Sequence, residues 1–320
     1  MSFLTQISNI FSKKQPEQMV GIALQQKSLG LCIIPPSDTV VSEGAEAIVA
    51  PIFKERNIES SDFSGVMERL KNKYDFNYKC HLVLNSAQSQ IVQVDKPNVP
   101  EAEVNAALKW QIKDLVSISP ENMVLDYFDG PIKSGGIEKI NVVCSPLNEL
   151  KKFVAVLNTG SARLESITIE EFAFANLLPV QQDASLLVCQ QPNEEIILLI
   201  VKQGKLYFHR RLRGFSQLAN KTEDELSMTV IDSLALEIQR SSDFFERQLR
   251  QAPIKNIKVL LPIDLEGFFA RKLSENTHLP VTLLDLPEAY KEHRGFAAAI
   301  GATMTELRVK EQAQEVMHVS

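Results

Sequence analysis

The stretch SLLVCQQPNEEIILLIVKQGKLYFHRRL, Ser185–Leu212, reads as three strands in a row. Ser185–Cys189, Glu195–Val201 and Lys205–Leu212 are apolar or alternating runs, and Gln203-Gly204 supplies a turn between the last two. The same strand-turn-strand opening stands at Met19–Cys32, where apolar runs flank Gln25-Gln26-Lys27-Ser28. Each opening is followed by helices alternating with strands, so the chain reads as a duplicated α/β architecture.

Outward from the first opening, Thr39–Val49 adds strand-like sequence, and Asp62–Tyr74 reads as a helix capped by Asp62 with Phe63, Val66, Met67 and Leu70 on one face. Cys80–Leu84 and Ile91–Val94 are short strands. Pro100 opens a helix over Glu101–Ser117 whose buried stripe is Val104, Leu108, Ile112 and Leu115. Trp110, the only tryptophan, falls off that stripe and either packs on a neighbouring sheet or anchors a partner. Strands at Met123–Phe128 and Ile137–Cys144 join across Ser134-Gly135-Gly136, followed by a helix (Pro146–Leu157), a strand (Leu164–Ile169) and a helix (Glu170–Leu178). The chain restarts near Asp183. After the second meander come a long helix from Glu223 to about Gln251, with Val230, Leu234, Ile238, Phe245 and Leu249 facing the core, and a strand at Lys258–Leu261. A helix (Leu265–Ser274), a strand (Val281–Leu284) and a last helix within Glu288–Met304 complete it.

Composition limits the function. The 320 residues allow two domains, and 40 acidic against 34 basic side chains give a net charge of −6, which argues against a nucleic-acid binder. The longest apolar run, Ile196–Val201, is six residues, where a membrane span needs about 20. Met1–Gln18 lacks the continuous apolar core of a signal peptide, so a soluble intracellular protein is expected. Phe3, Leu4, Ile7, Ile10 and Phe11 would still form one apolar stripe ahead of Lys13, Lys14 and Pro16: a frayed tail, a helix docked on the body, or a helix lying on a membrane surface. Cys32, Cys80, Cys144 and Cys189 are far apart and read as buried thiols, and the five histidines form no metal-ligand cluster.

Chemistry-bearing motifs are sparse. No phosphate-loop, dinucleotide or hydrolase-elbow pattern occurs, and 13 glycines is well under the usual ~7%. Gly135-Gly136 beside Lys133 and Lys139 reads as a hairpin turn. The basic run Lys205–Arg213 reads as the solvated face of a strand or as partners for the surplus carboxylates, with anion binding as the alternative. Glu165, Glu170 and Glu171 could be offered as an acid/base pair, but Glu170 is explained as favourable charge in the first turn of a helix.

Four stretches in order carry a resemblance. They are Lys109-Trp110-Gln111-Ile112 running on through Ser119–Tyr127, then Ser166–Asn176, Glu237–Phe245 and Gly295–Gly301. Together they resemble the PilM family of actin-like cytoplasmic proteins of type IV pilus assembly, nearest its branch in the MSHA (mannose-sensitive haemagglutinin) pilus system. The cytoplasmic domain of the type II secretion protein GspL is more distantly similar. The resemblance implies a two-lobed actin-like, ribonuclease H-like α/β fold with an inserted α/β subdomain in the first lobe. The expected boundaries are a tail or amphipathic helix at 1–18, a first lobe at 19–182 with the insertion at about 87–145, a second lobe at 183–305 and a tail at 306–320. It also implies a scaffold under the inner membrane that docks the cytoplasmic N-terminus of a PilN-like single-pass protein, MshJ-like in this branch. That docking helps link the motor ATPase to the platform, and the groove between first lobe and insertion is the expected dock, with Trp110 as the one named candidate.

Nucleotide-binding members of the family open with Gly-Ile-Asp-Ile-Gly, whereas this chain reads Gly21-Ile22-Ala23-Leu24-Gln25. The second phosphate loop, Asp-Ile-Gly, reads Cys189-Gln190-Gln191, and the adenosine-side Gly-Gly falls on Pro262-Ile263. Ala23, Gln25, Cys189, Gln191, Pro262 and Ile263 are therefore degenerate loop positions. The covering subdomain after Gly214 also reads as reduced. Without carboxylates at 23 and 189 there is no anchor for hydrated magnesium, and glutamine lacks the close approach glycine permits. The expectation is no enzyme, no cofactor and no metal; an actin-like ATP-binding protein or ATPase of the same machinery is the alternative.

Overall fold

The computed structural model describes residues 18–26, 28–34, 52–57, 63, 65–66, 68–69, 78–134, 137–158, 162–277 and 279–304. Within them, the two meanders open two five-stranded sheets of identical order. β1 (Gln18–Leu24), β2 (Ser28–Ile34) and β3 (Ile52–Asn57) pair antiparallel in succession. β4 (Tyr78–Leu84) then pairs parallel to β1, and β8 (Ala162–Ile169) parallel to β4, giving β3-β2-β1-β4-β8. The second sheet repeats this with β9 (Ser185–Cys189), β10 (Ile196–Lys202), β11 (Lys205–Leu212), β12 (Asn256–Leu260) and β13 (Val281–Leu283), in the order β11-β10-β9-β12-β13. Between β4 and β8 the chain makes a three-stranded sheet of β5 (Gln90–Asp95), β6 (Met123–Ser134) and β7 (Ile137–Pro146), ordered β5-β7-β6.

Strand residues alternate between faces, and that alternation divides the core. In β10, Ile196, Leu198 and Ile200 join the outer core of the second lobe, while Ile197, Leu199 and Val201 face inward. β9 and β12 divide in the same way, and in the first sheet Val20, Ile22 and Leu24 face outward while Ala23, Cys32 and Val83 face inward. A continuous apolar run such as Ile196–Val201 is thus a strand covered on both faces.

Outside the first sheet, Phe153 and Leu157 of α2 (Leu147–Leu157) pack with Val66, and the Phe63 and Phe153 rings meet edge-on at 4.7 Å. Outside the second lies α4 (Ile231–Asp243), continued at both ends by π-turns, Leu226–Val230 and Phe244–Gln248. A capping box between Thr222 and Glu225 starts this helical run, and α5 (Glu266–Asn276) lies beside it. On the insertion sheet, Val104 and Leu108 of α1 (Glu101–Gln111) pack on Ile140, Val142 and Cys144.

The inner layer between the two large sheets consists of α3 (Glu170–Ala175) and a terminal helix at 297–304, α6. These elements approach so closely that a Cβ on Gly301 would sit 1.9 Å from the Ala173 carbonyl oxygen. One on Gly21 of β1 would sit 2.0 Å from that of Ala299. Only glycine permits these two contacts, and they fix how the lobes meet.

The structure corrects the sequence reading in places. The third strand of the first sheet is Ile52–Asn57, which was not foreseen. α1 ends at Gln111, not Ser117, so Leu115 lies past the helix and is 59% exposed instead of extending the stripe. Trp110 is 63% exposed, so it does not pack on a sheet. All four cysteines are buried, and none is in a disulfide. The strand at Thr39–Val49, the Asp62 cap, the Met67 and Leu70 positions, the glycines of the Gly135-Gly136 turn and both tails lie outside the described residues. No helix among the described residues is long and apolar enough to cross a membrane.

Candidate functional site

The turns after β1 and β9, equivalent in the two sheets, both carry Gln-Gln, at 25–26 and 190–191. They face each other across the interlobe cleft. Gln191, 2% exposed, donates from Nε2 to the Leu24 carbonyl at 3.2 Å and to Glu170 Oε2 at 3.0 Å. Glu194, 3% exposed, accepts on Oε1 from Asn85 Nδ2 and from the backbone N–H of Gln26, both at 2.7 Å. From β11, Arg211 Nη2 reaches Glu170 Oε1 at 2.5 Å and Glu171 Oε1 at 2.9 Å, at the start of α3. Gln190 braces the second turn from behind, donating to the Phe215 carbonyl at 2.8 Å.

Burial sets the electrostatics here. It raises the Glu170 carboxyl to about 7, assisted by the adjacent Glu171 charge and opposed by Arg211. Burial likewise raises Glu171, with Arg211 opposing. Glu194 is raised by burial and then by the Glu170 charge, against the hydrogen bonds from Gln26 and Asn85. His209 is pushed down to about 4, by burial first and by Arg211 second, and burial lifts the Cys189 thiol well above its ordinary value.

Of the loop positions expected to be degenerate, Ala23 and Cys189 are buried in the inner core, while Gln25 and Gln191 sit at the two facing turns. Gln25 accepts from the Ser28 hydroxyl within its own turn. Pro262 lies near Gly295, as does Pro192, and Ile263 packs toward the outer core of the second lobe. The loop after β12 is fixed by Glu266, which accepts from the Leu261 N–H and the Arg294 guanidinium, both at 2.7 Å. Arg294 also donates to the carbonyls of Val259 and Leu284.

A magnesium nucleotide, the ligand this fold suggests, needs free backbone N–H groups and a carboxylate toward the metal. The Gln25 N–H is bonded to the Ser28 carbonyl and the Gln26 N–H to Glu194. The Arg211 guanidinium of β11 is already shared by two carboxylates. Position 23, at the end of β1, offers only a methyl group. This donor set does not fit a nucleotide phosphate. At this site Gln191 Oε1 and Arg211 Nη1 are buried without a hydrogen-bond partner.

A concavity of about 580 Å³ lies between the first lobe and the insertion. Leu84, Ile167, Ile169 and Phe172 line one wall, and Val124, Leu125 and Val143 the other, with Asn105, Asp126, Ser145 and Thr168 as polar members. Ile167 is 37% exposed on the edge strand β8. Trp110 does not line this groove.

Sequence reasoning missed the cluster joining Glu170, Glu171 and Arg211. The repeated Gln-Gln at equivalent turns was the available signal. In the basic run, Arg210 and Arg211 are indeed partners of carboxylates: Arg210 pairs with Glu237 of α4 at 3.1 Å. Glu165 pairs instead with Arg163 on its own strand.

No protein-family model matches the chain, and no curated protein matches it in sequence. The solved PilM–PilN type IV pilus biogenesis complex is similar over 91% of this chain and 99% of that chain, at 14% identity and a TM-score of 0.62. The cytoplasmic domain of EpsL, an inner-membrane component of the type II secretion system of Vibrio cholerae, is similar over 90% and 95%, at 11% identity and a TM-score of 0.51. A Bacteroides thetaiotaomicron protein of actin-like ATPase fold and unknown function is similar over 95% and 99%, at 10% identity and a TM-score of 0.50. With the duplicated sheet order and the shared inner layer, these likenesses establish that the chain has the actin-like fold.

Proposed function

We propose that this chain is a non-enzymatic scaffold of a type IV pilus assembly platform, acting at the cytoplasmic face of the inner membrane. In this reading it has the role of MshI in an MSHA-type pilus. It docks the cytoplasmic N-terminus of a PilN-like single-pass partner, MshJ-like in that system, and helps couple it to the motor ATPase. The likeness to the PilM–PilN complex over nearly the full length of both chains carries the reading. The groove between first lobe and insertion supports it, because mostly apolar side chains with a few polar members suit a short peptide. Trp110, outside the groove and exposed, is the second proposed contact. The cleft supports the non-enzymatic part, since the Gln25 and Gln26 amides are bonded within the protein and position 23 offers no carboxylate.

The test is binding of a fluorescent peptide copying the N-terminal cytoplasmic segment of the PilN-like partner. Ile167→Glu, on an exposed edge-strand position, is expected to weaken binding at least about tenfold without changing stability, because it places a charge in the apolar wall. Binding that is undiminished in Ile167→Glu moves the dock elsewhere. Full affinity in Trp110→Ala removes that residue from the partner surface. Failure of the unaltered protein to bind the peptide at all contradicts the scaffold reading.

A further inference from the structure

The interlobe contacts suggest how the closed arrangement is maintained, and the inference does not rest on the docking function. In two-lobed proteins that close on a ligand, the ligand supplies the contacts that distinguish closed from open. Here such contacts come from the chain itself. We propose that Arg211 with Glu170 and Glu171, and Glu194 with Asn85 and the Gln26 amide, form one interlobe clamp that holds the cleft shut without nucleotide.

The geometry supports a single unit. The bonds join residues 40, 41, 109 and 168 positions apart, so they tie the lobes together instead of bracing one loop. Gln191 links the two groups, spanning from the Leu24 carbonyl beside the first turn to Glu170. Glu170, Glu194 and Gln191 are at most 3% exposed, so their bonds act in a poorly solvated region where an unpaired partner is costly. The inner layer presses the lobes together at Gly21 and Gly301, and the clamp lies beside the facing turns.

Gln26 provides a local reporter. Its side chain is exposed at a turn, yet its N–H is held by Glu194 from the other lobe. Amide hydrogen exchange is measured on the full chain without nucleotide, and again with millimolar MgATP. The clamp predicts slow exchange at Gln26 in both conditions. It also predicts exchange at least about tenfold faster in Arg211→Met, although Arg211 makes no contact with Gln26, while β10 amides stay protected. Arg211→Met leaves two buried carboxylates unpaired and can unfold the chain. The measurement is therefore repeated on Arg211→Met/Glu170→Gln/Glu171→Gln, in which those charges are absent. Unchanged Gln26 exchange in both variants would show independent contacts and overturn the proposal. So would fast exchange at Gln26 in the unaltered protein, or marked slowing by MgATP.

Discussion

The interlobe cleft and the groove beside the insertion differ in what their walls offer. Around the cleft, Glu170, Gln191, Glu194 and Arg211 bond to one another or to Asn85 and Gln26, and nearly every polar group has a partner inside the protein. In the groove the walls are mostly apolar and Ile167 is part-exposed, so the surface can still gain from covering. One fold presents both. The lesson is that a ligand site is kept or lost through the free donors and uncovered apolar surface of its loops, while the strand order around it stays constant.

The harshest way to break this comparison is to separate the layer from which both regions are built. Gly301→Val places side-chain atoms where a Cβ already meets the Ala173 carbonyl oxygen at 1.9 Å. Main chain must move, and the expected loss is about 3 kcal/mol or more in urea unfolding. A loss within about 0.5 kcal/mol would mean that the lobes are not pressed together at this point.

The charges of the cleft come next. Arg211→Met is expected to cost about 3 kcal/mol, because it strands buried carboxylates, while adding Glu170→Gln and Glu171→Gln should recover much of that loss. Equal losses in the single and triple variants would show that packing of the arginine stem, and not its charge, matters at this position.

The smallest expected effect concerns His209, beside Arg211 on β11. Its folded-state pKa of about 4 lies below the unfolded value of 6.5, so the unfolded chain binds more protons between them. Stability from this group is therefore present above pH 6.5 and is lost as pH falls toward 4, on the order of 1 kcal/mol per pH unit. Glu170, raised to about 7, acts with the opposite sign, losing stability as pH rises from 4.5 to 7. His209→Gln should leave only the second trend, so its stability rises relative to that of the unaltered protein as pH falls from 6.5 to 5. Identical pH profiles would place His209 in water.

Much of the fold was legible because strand and helix periodicities were strong. The meanders, the run Ile196–Val201 and the core face of the long helix could be read from spacing alone. The end of α1 was not, since Ile112 and Leu115 continue a helical spacing after the backbone has turned at Ile112. The cleft was legible only as absences, the missing aspartates and glycines at 23, 25, 189 and 191. What fills it was hidden because Glu170 and Arg211 lie 41 positions apart on elements whose meeting depends on tertiary packing. Glu170 does open a helix, as its position suggested, but it is fully buried and paired, which first-turn charge does not explain.

The most direct test of the central claim is a calorimetric titration of the purified protein with MgATP, beside an ATP-binding actin-like protein as control. A cleft whose turn amides at Gln25 and Gln26 are already bonded predicts no binding heat while the control binds normally. Saturable binding with a dissociation constant in the micromolar range, about 8 kcal/mol, would contradict it and bring the ATPase alternative forward.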